Sequence, residues 1–355
     1  MTFGPHHYVP VLKVKRGEKI ALQRVADTLR PRITPLLEIV ARPSDKSHSV
    51  ESHLDNAFKN LAESVASYSR CFLDTREIAA DGQPAADEVF ERASRAGIVY
   101  TPVTGVSRTA DVFAALAHRT HGLALRVTRA EFEAGRIGER IESFTRLHHL
   151  EAVDVDLIID LGAVEEMIAE GIAALTEAFM GEVPMQEQWR TLTVSACAFP
   201  RGLGGVARHS YSLVERADWT AWKDHLLARR EKLTRLPTFS DCAIQHPSGV
   251  EGFDPRMMQV SATIRYTTDE TWLLIKGEST RNVSPSRQFP TLATRLVYGH
   301  YQGQFFGPDH CDGCLQMQAA ADGAPRLGSA EAWRRLGTIH HLSLVTQSLD
   351  AVPWP

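Results

Sequence analysis

The sequence predicts an α/β fold in which eight parallel strands close into a (β/α)8 barrel. Eight β-like runs alternate regularly with seven stretches of helical apolar spacing. Each crossover between parallel strands must return the chain to the same end of the sheet, and a helix does this. Eight is also the number at which such a sheet closes on itself. The alternative is an open, doubly wound α/β sheet, but no Gly-rich dinucleotide fingerprint follows the first strand.

In order, the strand candidates are "YVPVLKV" (8–14), "ITPLLEIV" (33–40), "RCFLDTR" (70–76) and "GIVYTPVT" (97–104). They continue with "GLALRVT" (122–128), "VDLIIDLG" (155–162), "TLTVSACAF" (191–199) and "FSDCAIQH" (239–246). Between them, stretches such as "EKIALQRVADTLR", "ESHLDNAFKNLAESVA" and "VEEMIAEGIAALTEAF" repeat apolar residues at helical spacing. The pattern then changes. "SATIRYTTDETWLLIKGE" (261–278) reads as a β-hairpin turning at "TTDE", inserted after the eighth strand. "FPTLATRLVYGHY" and "SAEAWRRLGTIHHLSLVTQSL" read as helices around a Gly/Pro/Cys-rich segment, one of them closing the barrel. The expected organisation is a single barrel domain over residues 1–355, with residues 247–328 as its hairpin and Cys-containing elaboration.

With 43% apolar and 23% charged residues, the composition is that of an ordinary globular protein. A net charge of -4 gives no global attraction to nucleic acid or an anionic membrane. No apolar run approaches the ~20 residues of a membrane helix. The start, "MTFGPHHYVP", has neither the basic beginning nor the apolar core of a secretory signal. Five cysteines spread through the chain do not suggest a disulfide framework, so a reduced, cytoplasmic protein is expected.

Strand periodicity sorts the side chains. The apolar set of each strand packs outward on helices, which leaves the other set facing the barrel axis. That places Lys13, Lys15, Glu38, Asp74, Arg76, Arg126, Asp160, Ser195, Asp241 and Gln245 inside, mostly toward the C-terminal ends of their strands. Barrels of this class carry their sites on that face. So many buried charges are costly unless paired or solvated. A neutralised structural network is one reading, and a ligand site is the one preferred. Lys13, Lys15, Glu38, Asp74 and Asp160 are the candidate catalytic groups, with Arg76, Arg126, Ser195, Asp241 and Gln245 as ligand contacts. The cations suit an anion such as phosphate. The carboxylates suit a divalent cation such as Mg²⁺ or a general acid or base. A lysine with a lowered pKa would be a nucleophile or base. An enzyme of this design would be a hydrolase or phosphoryl-transfer type.

Two further segments carry chemistry. In "FPRGLGGVARHS" (199–210), Gly204 and Gly205 let the backbone turn its N–H groups to an anion, and Arg201 and Arg208 add charge. "DHCDGC" (309–314) holds the CxxC pair Cys311 and Cys314, half of a tetrahedral zinc site that His310, His340 or His341 would complete. With no second CxxC, an ordinary pair of reduced cysteines is the simpler reading. Ser195 lacks a G-x-S-x-G elbow, which makes it a small barrel-lining residue rather than a nucleophile.

"YVPVLKVKRGEKIALQ", "ITPLLEI", "DCAIQHP", "IRYTTDETWLLIKGE" and "WRRLGTIHHLSLV" together resemble the Beta protein family, named for a protein of a satellite bacteriophage. The likeness runs from the first strand to the last helix. It implies a role in phage defence, or in a cassette with a toxic partner that the protein restrains or assists, and it supplies no catalytic residues. Two classes of function follow. One is a barrel enzyme acting on a phosphorylated or nucleotide-like substrate. The other is a non-catalytic component that senses a ligand or binds a protein encoded by a neighbouring gene. Neither calls for a membrane or a nucleic acid.

Overall fold

The computed structural model describes all residues except 1, 2, 5, 44–48, 82, 249–260, 300, 325–327 and 353–355. The central sheet contains β1 (Val11–Lys13), β2 (Leu36–Glu38), β3 (Cys71–Asp74), β4 (Tyr100–Thr104), β5 (Leu123–Thr128), β6 (Val155–Ala163) and β7 (Thr191–Cys197). Its eighth strand, β9 (Thr238–Ser240), pairs with β7, and all pairs are parallel. The sheet closes on itself: Val9 N donates to Phe239 O at 3.1 Å and Val11 N to Asp241 O at 2.8 Å. The fold is therefore a (β/α)8 barrel.

Helices α1 (Arg16–Arg24), α2 (Val50–Phe58), α3 (Leu61–Val65), α4 (Gln83–Arg95) and α5 (Val112–Ala117) return the chain between the first five strands. Next come α6 (Arg129–Glu133), α7 (Ile137–Leu147) and α8 (Ala169–Glu182), with α9 (Ala217–Thr220) before β9. Where the boundaries are sharp, local chemistry explains them. Thr128 and Glu131 form a reciprocal capping box that starts α6 immediately at the end of β5.

The period-2 assignment holds around most of the barrel. Leu12, Val14, Leu37, Ile39, Leu73, Leu125, Leu157 and Ile159 face the helices in one continuous apolar layer. Val9, Val11, Leu36, Phe72, Val103, Ala124 and Ile158 fill the interior. Burying each large aliphatic side chain contributes about 1.5–3 kcal/mol, so this sorting is what holds the register.

The eighth strand departs from expectation. It stops at Ser240, where the Asp241 carboxylate accepts the backbone N–H of Ala243 at 2.9 Å and Ala243 takes φ +54°. This Asx turn ends the extended run that the sequence suggested through His246. Cys242, two residues beyond inward-facing Ser240, also faces inward and forms a disulfide with Cys197, across a Cα separation of 5.4 Å. The two positions continue the Ser195–Ser240 register by two residues. The expectation of five reduced cysteines is thus corrected: Cys71, Cys311 and Cys314 are the thiols.

The predicted hairpin exists as β10 (Ser261–Thr267) and β11 (Thr271–Ser279), but it has a third strand. This is β8 (Tyr211–Glu215), from the connection after β7, and it pairs antiparallel with β11. Alternate β8 residues, including Tyr211 and Leu213, are exposed, so β8 is an edge strand held by ladder hydrogen bonds more than by burial. Helices α10 (Pro285–Tyr298), α11 (Asp312–Ala321) and α12 (Ala330–Ala351) cover this sheet. Leu342, Val345 and Leu349 of α12 also join the barrel's outer layer, making α12 the closing helix.

Gly337 lets α12 lie directly on β10. A Cβ at that position would sit 2.5 Å from Arg265 O and 2.8 Å from Ile244 Cδ1. Gly337→Ala gains about 1 kcal/mol of helix propensity, yet it should lower stability by a net 1–3 kcal/mol or so, because the backbone carbonyl cannot yield. Urea unfolding measures this, and an equal or higher midpoint would refute the contact.

Candidate functional site: the barrel mouth

Adjacent strands align their charged residues in one ring. Lys13 is the register partner of Glu38, Glu38 of Asp74, and Asp160 of Ser195. The side chains meet across the axis on Arg126. Its guanidinium donates to Glu38 Oε1 at 2.7 Å, Asp74 Oδ2 at 2.8 Å and Asp160 Oδ2 at 2.8 Å. Lys13 Nζ lies 2.8 Å from Glu38 Oε2 and also pairs with Glu77. Arg108 reaches Asp74 Oδ1 at 2.8 Å and pairs with Asp111, which accepts the hydroxyls of Thr75 at 3.0 Å and Thr104 at 2.8 Å.

The strand ends also bind their own carboxylates. Arg76 N donates to Asp74 Oδ1 and Gly162 N to Asp160 Oδ1, each at 2.9 Å. Lys13, Glu38, Asp74, Arg126 and Asp160 are all buried, whereas the Arg76 side chain is 44% exposed and stands 3.7 Å from Asp160. Arg76 is the solvent-facing cation of the ring.

Electrostatics fix the charge states. Burial alone would push the Glu38 and Asp74 carboxyls up. For Glu38, the Arg126 and Lys13 charges outweigh it, and for Asp74 the Arg108 and Arg126 charges do. Both carboxyls therefore lie below the usual carboxylate range, Asp74 far below. Burial would likewise lower the Lys13 pKa, but Glu38 and Glu77 hold it above the ordinary lysine value. Lys13 is thus an ammonium ion. The reading of a lysine with a lowered pKa, ready as nucleophile or base, is corrected for Lys13 by these two carboxylates.

On the β7–β9 side, Ser195 Oγ, its register partner Ser240 Oγ and, two residues earlier on β7, Thr193 Oγ1 are buried and have no hydrogen-bond partner among the described residues. Hydroxyl groups so placed can serve a polar ligand at no desolvation cost of their own.

Several predicted residues lie elsewhere. Asp241 faces the helix side, because β9 runs in the opposite phase to the one expected: Phe239 joins the outer layer, while Ser240, in register with Ser195, and Cys242 turn inward. It accepts the Tyr8 hydroxyl and stands 2.9 Å from His341 Nε2 of α12. Nearby Asp218 is pushed up to about 7 by burial and by the Asp241 charge. Gln245 is not on the axis but donates to Glu18 of α1. Lys15 is the residue preceding α1 and lines a crevice with Arg16, Arg334 and Arg335 between α1 and α12.

The Gly-rich loop is built around a cation. Lys276 Nζ of β11 donates to Leu203 O at 2.7 Å and Val206 O at 2.8 Å, so the loop turns carbonyls inward where an anion would need N–H groups. Arg208 pairs with Glu278 at 3.0 Å on the accessory sheet. Arg201, Gly204 and Gly205 are exposed on this loop, which the structure does not bring into the Arg126 ring.

Compared with known families, residues 8–347 match the family described as Beta protein. The chain belongs to the Beta protein family. No curated protein matches it. In this Beta-family barrel, Glu77, Arg108 and Asp111 complete the mouth although strand periodicity did not point to them. They sit in the loops after β3 and β4, on the face where a barrel places its functional loops, and that position was the available signal. No helix among the described residues is long and apolar enough to cross a membrane.

Proposed function

We propose that this Beta-family protein is a ligand-sensing component of a phage-defence or toxin-linked cassette. In this reading the barrel mouth recognises a phosphorylated or nucleotide-like ligand without transforming it. The observation that carries the reading is Arg126, buried and shared by Glu38, Asp74 and Asp160. Such a centre is an electrostatic clamp. Its Glu38 and Asp74 carboxyls are held ionised and Lys13 is held protonated, so none of the three is tuned to exchange a proton near neutral pH, as general acid–base chemistry requires.

An incoming anionic group would meet Arg76 first and compete with Asp160 for it. It would then draw on Arg108 and the hydroxyls on the β7–β9 side. Exchange of carboxylate for ligand re-pairs the cations on the loops after β3 and β4. A binding event can thereby change the surface offered to a protein partner, provided the ligand prefers one pairing.

Calorimetric titration with a panel of nucleotides and sugar phosphates, with and without Mg²⁺, tests this. The expected result is saturable binding with the ligand recovered unchanged. Arg76→Ala should weaken that binding about 10- to 100-fold, the loss expected for a charge-assisted hydrogen bond. Because Arg76 is largely exposed, the same substitution should leave the unfolding midpoint within about 0.5 kcal/mol. Ligand turnover that Asp74→Asn abolishes would replace this reading with the enzymatic one.

A further inference from the structure

A second cluster lies well away from the ring in sequence, under the accessory sheet. Cys311 precedes α11 as its N-cap, and its Sγ accepts the backbone N–H of Cys314 at 3.4 Å. From α12, the wholly buried His340 points Nδ1 at both sulfurs, 3.2 Å from Cys314 Sγ and 3.8 Å from Cys311 Sγ. His310 closes the group from the turn just before Cys311. The ligand atoms of His310, Cys311 and His340 all lie within 4.8 Å of one another. His310 Nε2 is buried without a hydrogen-bond partner among the described residues.

The supporting shell orients these groups. His340 Nε2 stands 2.7 Å from the Thr267 carbonyl, which can only accept, so Nε2 carries the proton and Nδ1 presents its lone pair to the sulfurs. A backbone acceptor behind one ring nitrogen is the usual device for fixing a histidine that ligates through the other. Tyr266 stacks on the His340 ring with centroids 4.0 Å apart, and its hydroxyl lies 3.4 Å from Cys314 Sγ. Gly313 lets the CxxC turn approach α12, since a Cβ there would be 2.5 Å from Leu336 O. Around the cluster are Met317, Leu336 and Ile339, all buried and apolar.

From these contacts we propose that Cys311, Cys314, His310 and His340 form a tetrahedral Cys₂His₂ site for a borderline-soft divalent cation, zinc above all. With bonds of about 2.3 Å to sulfur and 2.0 Å to nitrogen, tetrahedral zinc needs sulfur–nitrogen separations of roughly 3.5 Å. The two observed values straddle that distance. Binding displaces the two thiol protons to solvent, and the two thiolates neutralise the cation within its apolar surroundings. The site would be structural, with four protein ligands, and would clip the start of α11 to α12 under β10. A hydrogen-bonded thiol pair accounts for neither the idle His310 nitrogen nor the convergence of three chain segments.

Metal analysis of the full-length chain, purified under reducing conditions, should find about one zinc per chain. Cys311→Ser and His340→Ala should each reduce that stoichiometry at least several-fold, while Cys71→Ser should keep it. Since those variants could misfold, the wild-type chain provides a second readout. Stripped of metal by a chelator and loaded with Co²⁺, it should show a thiolate-to-cobalt charge-transfer band and intense tetrahedral d–d bands, both erased by stoichiometric Zn²⁺. The proposal is overturned if the reduced, folded chain binds neither metal in this way. It is equally overturned if mass spectrometry finds a Cys311–Cys314 disulfide in zinc-free protein purified without reductant.

Discussion

Arg126→Met is expected to destabilise the protein by about 3–5 kcal/mol at neutral pH, the range for removing one partner of a buried ion pair. Methionine fills much of the space but leaves Glu38, Asp74 and Asp160 without the guanidinium they share. The pH dependence gives the prediction its signature. In the wild type, Glu38 and Asp74 have pKa values below their unfolded ones. Their contribution is therefore present above the unfolded carboxyl values and is lost as pH falls through the folded ones. In the variant, burial without Arg126 moves these pKa values upward, so its deficit grows as pH rises and shrinks toward pH 4 or so, where protonated carboxyls need no countercharge. Guanidinium unfolding of both proteins at acidic and at mildly alkaline pH measures the difference. A pH-independent deficit, or an unchanged midpoint, would show that the ring is not the electrostatic unit described.

Asp241→Ala should cost a comparable amount for a different reason. The Asp241 carboxylate accepts the Tyr8 hydroxyl and the Ala243 N–H and faces His341, all of them buried. Alanine strands these donors at the seam where β9 meets β1, and it also removes a charge that offsets buried Arg216. Loss of about 3–5 kcal/mol in urea unfolding is the expected outcome. Earlier proteolysis of α12 should accompany it, since His341 belongs to that helix. Asp241→Asn keeps part of the hydrogen bonding and supplies a second test through Asp218. That carboxyl is raised to about 7, so its share of stability is full below the unfolded value near 4 and is lost as pH rises toward 7. Neutralising Asp241 removes one cause of the rise and should flatten the stability slope over that interval. An unaltered slope would argue against the coupling.

Both predictions concern carboxylates, yet only one was placed correctly by alternation. Glu38, Asp74, Arg126, Asp160 and Ser195 were legible because their strands carry an unambiguous apolar set, and a shift by one residue would expose it. "FSDCAIQH" has no such anchor: Phe239, Cys242, Ala243 and Ile244 support either phase, and pairing with β7, which sets Ser240 opposite Ser195, decided which one holds. Glu77, Arg108 and Asp111 were missed because loop residues have no period to read. Strand β8 was missed because its burial is weak and its partner lies some sixty residues downstream in β11.

By itself, the sequence determined the barrel: apolar alternation at eight places, helical spacing between them, and polar residues gathered at one end of the strands. These are local properties, and burial of the apolar faces enforces them. Tertiary structure alone decided how the charges pair, because Arg126 meets Glu38, Asp74 and Asp160 only after four strands are in register around an axis. It also decided the Cys197–Cys242 disulfide and the meeting of His340 with Cys311 and Cys314. Each joins residues far apart in the chain, and their chemistry depends on distances of a few ångströms that no one-dimensional pattern encodes.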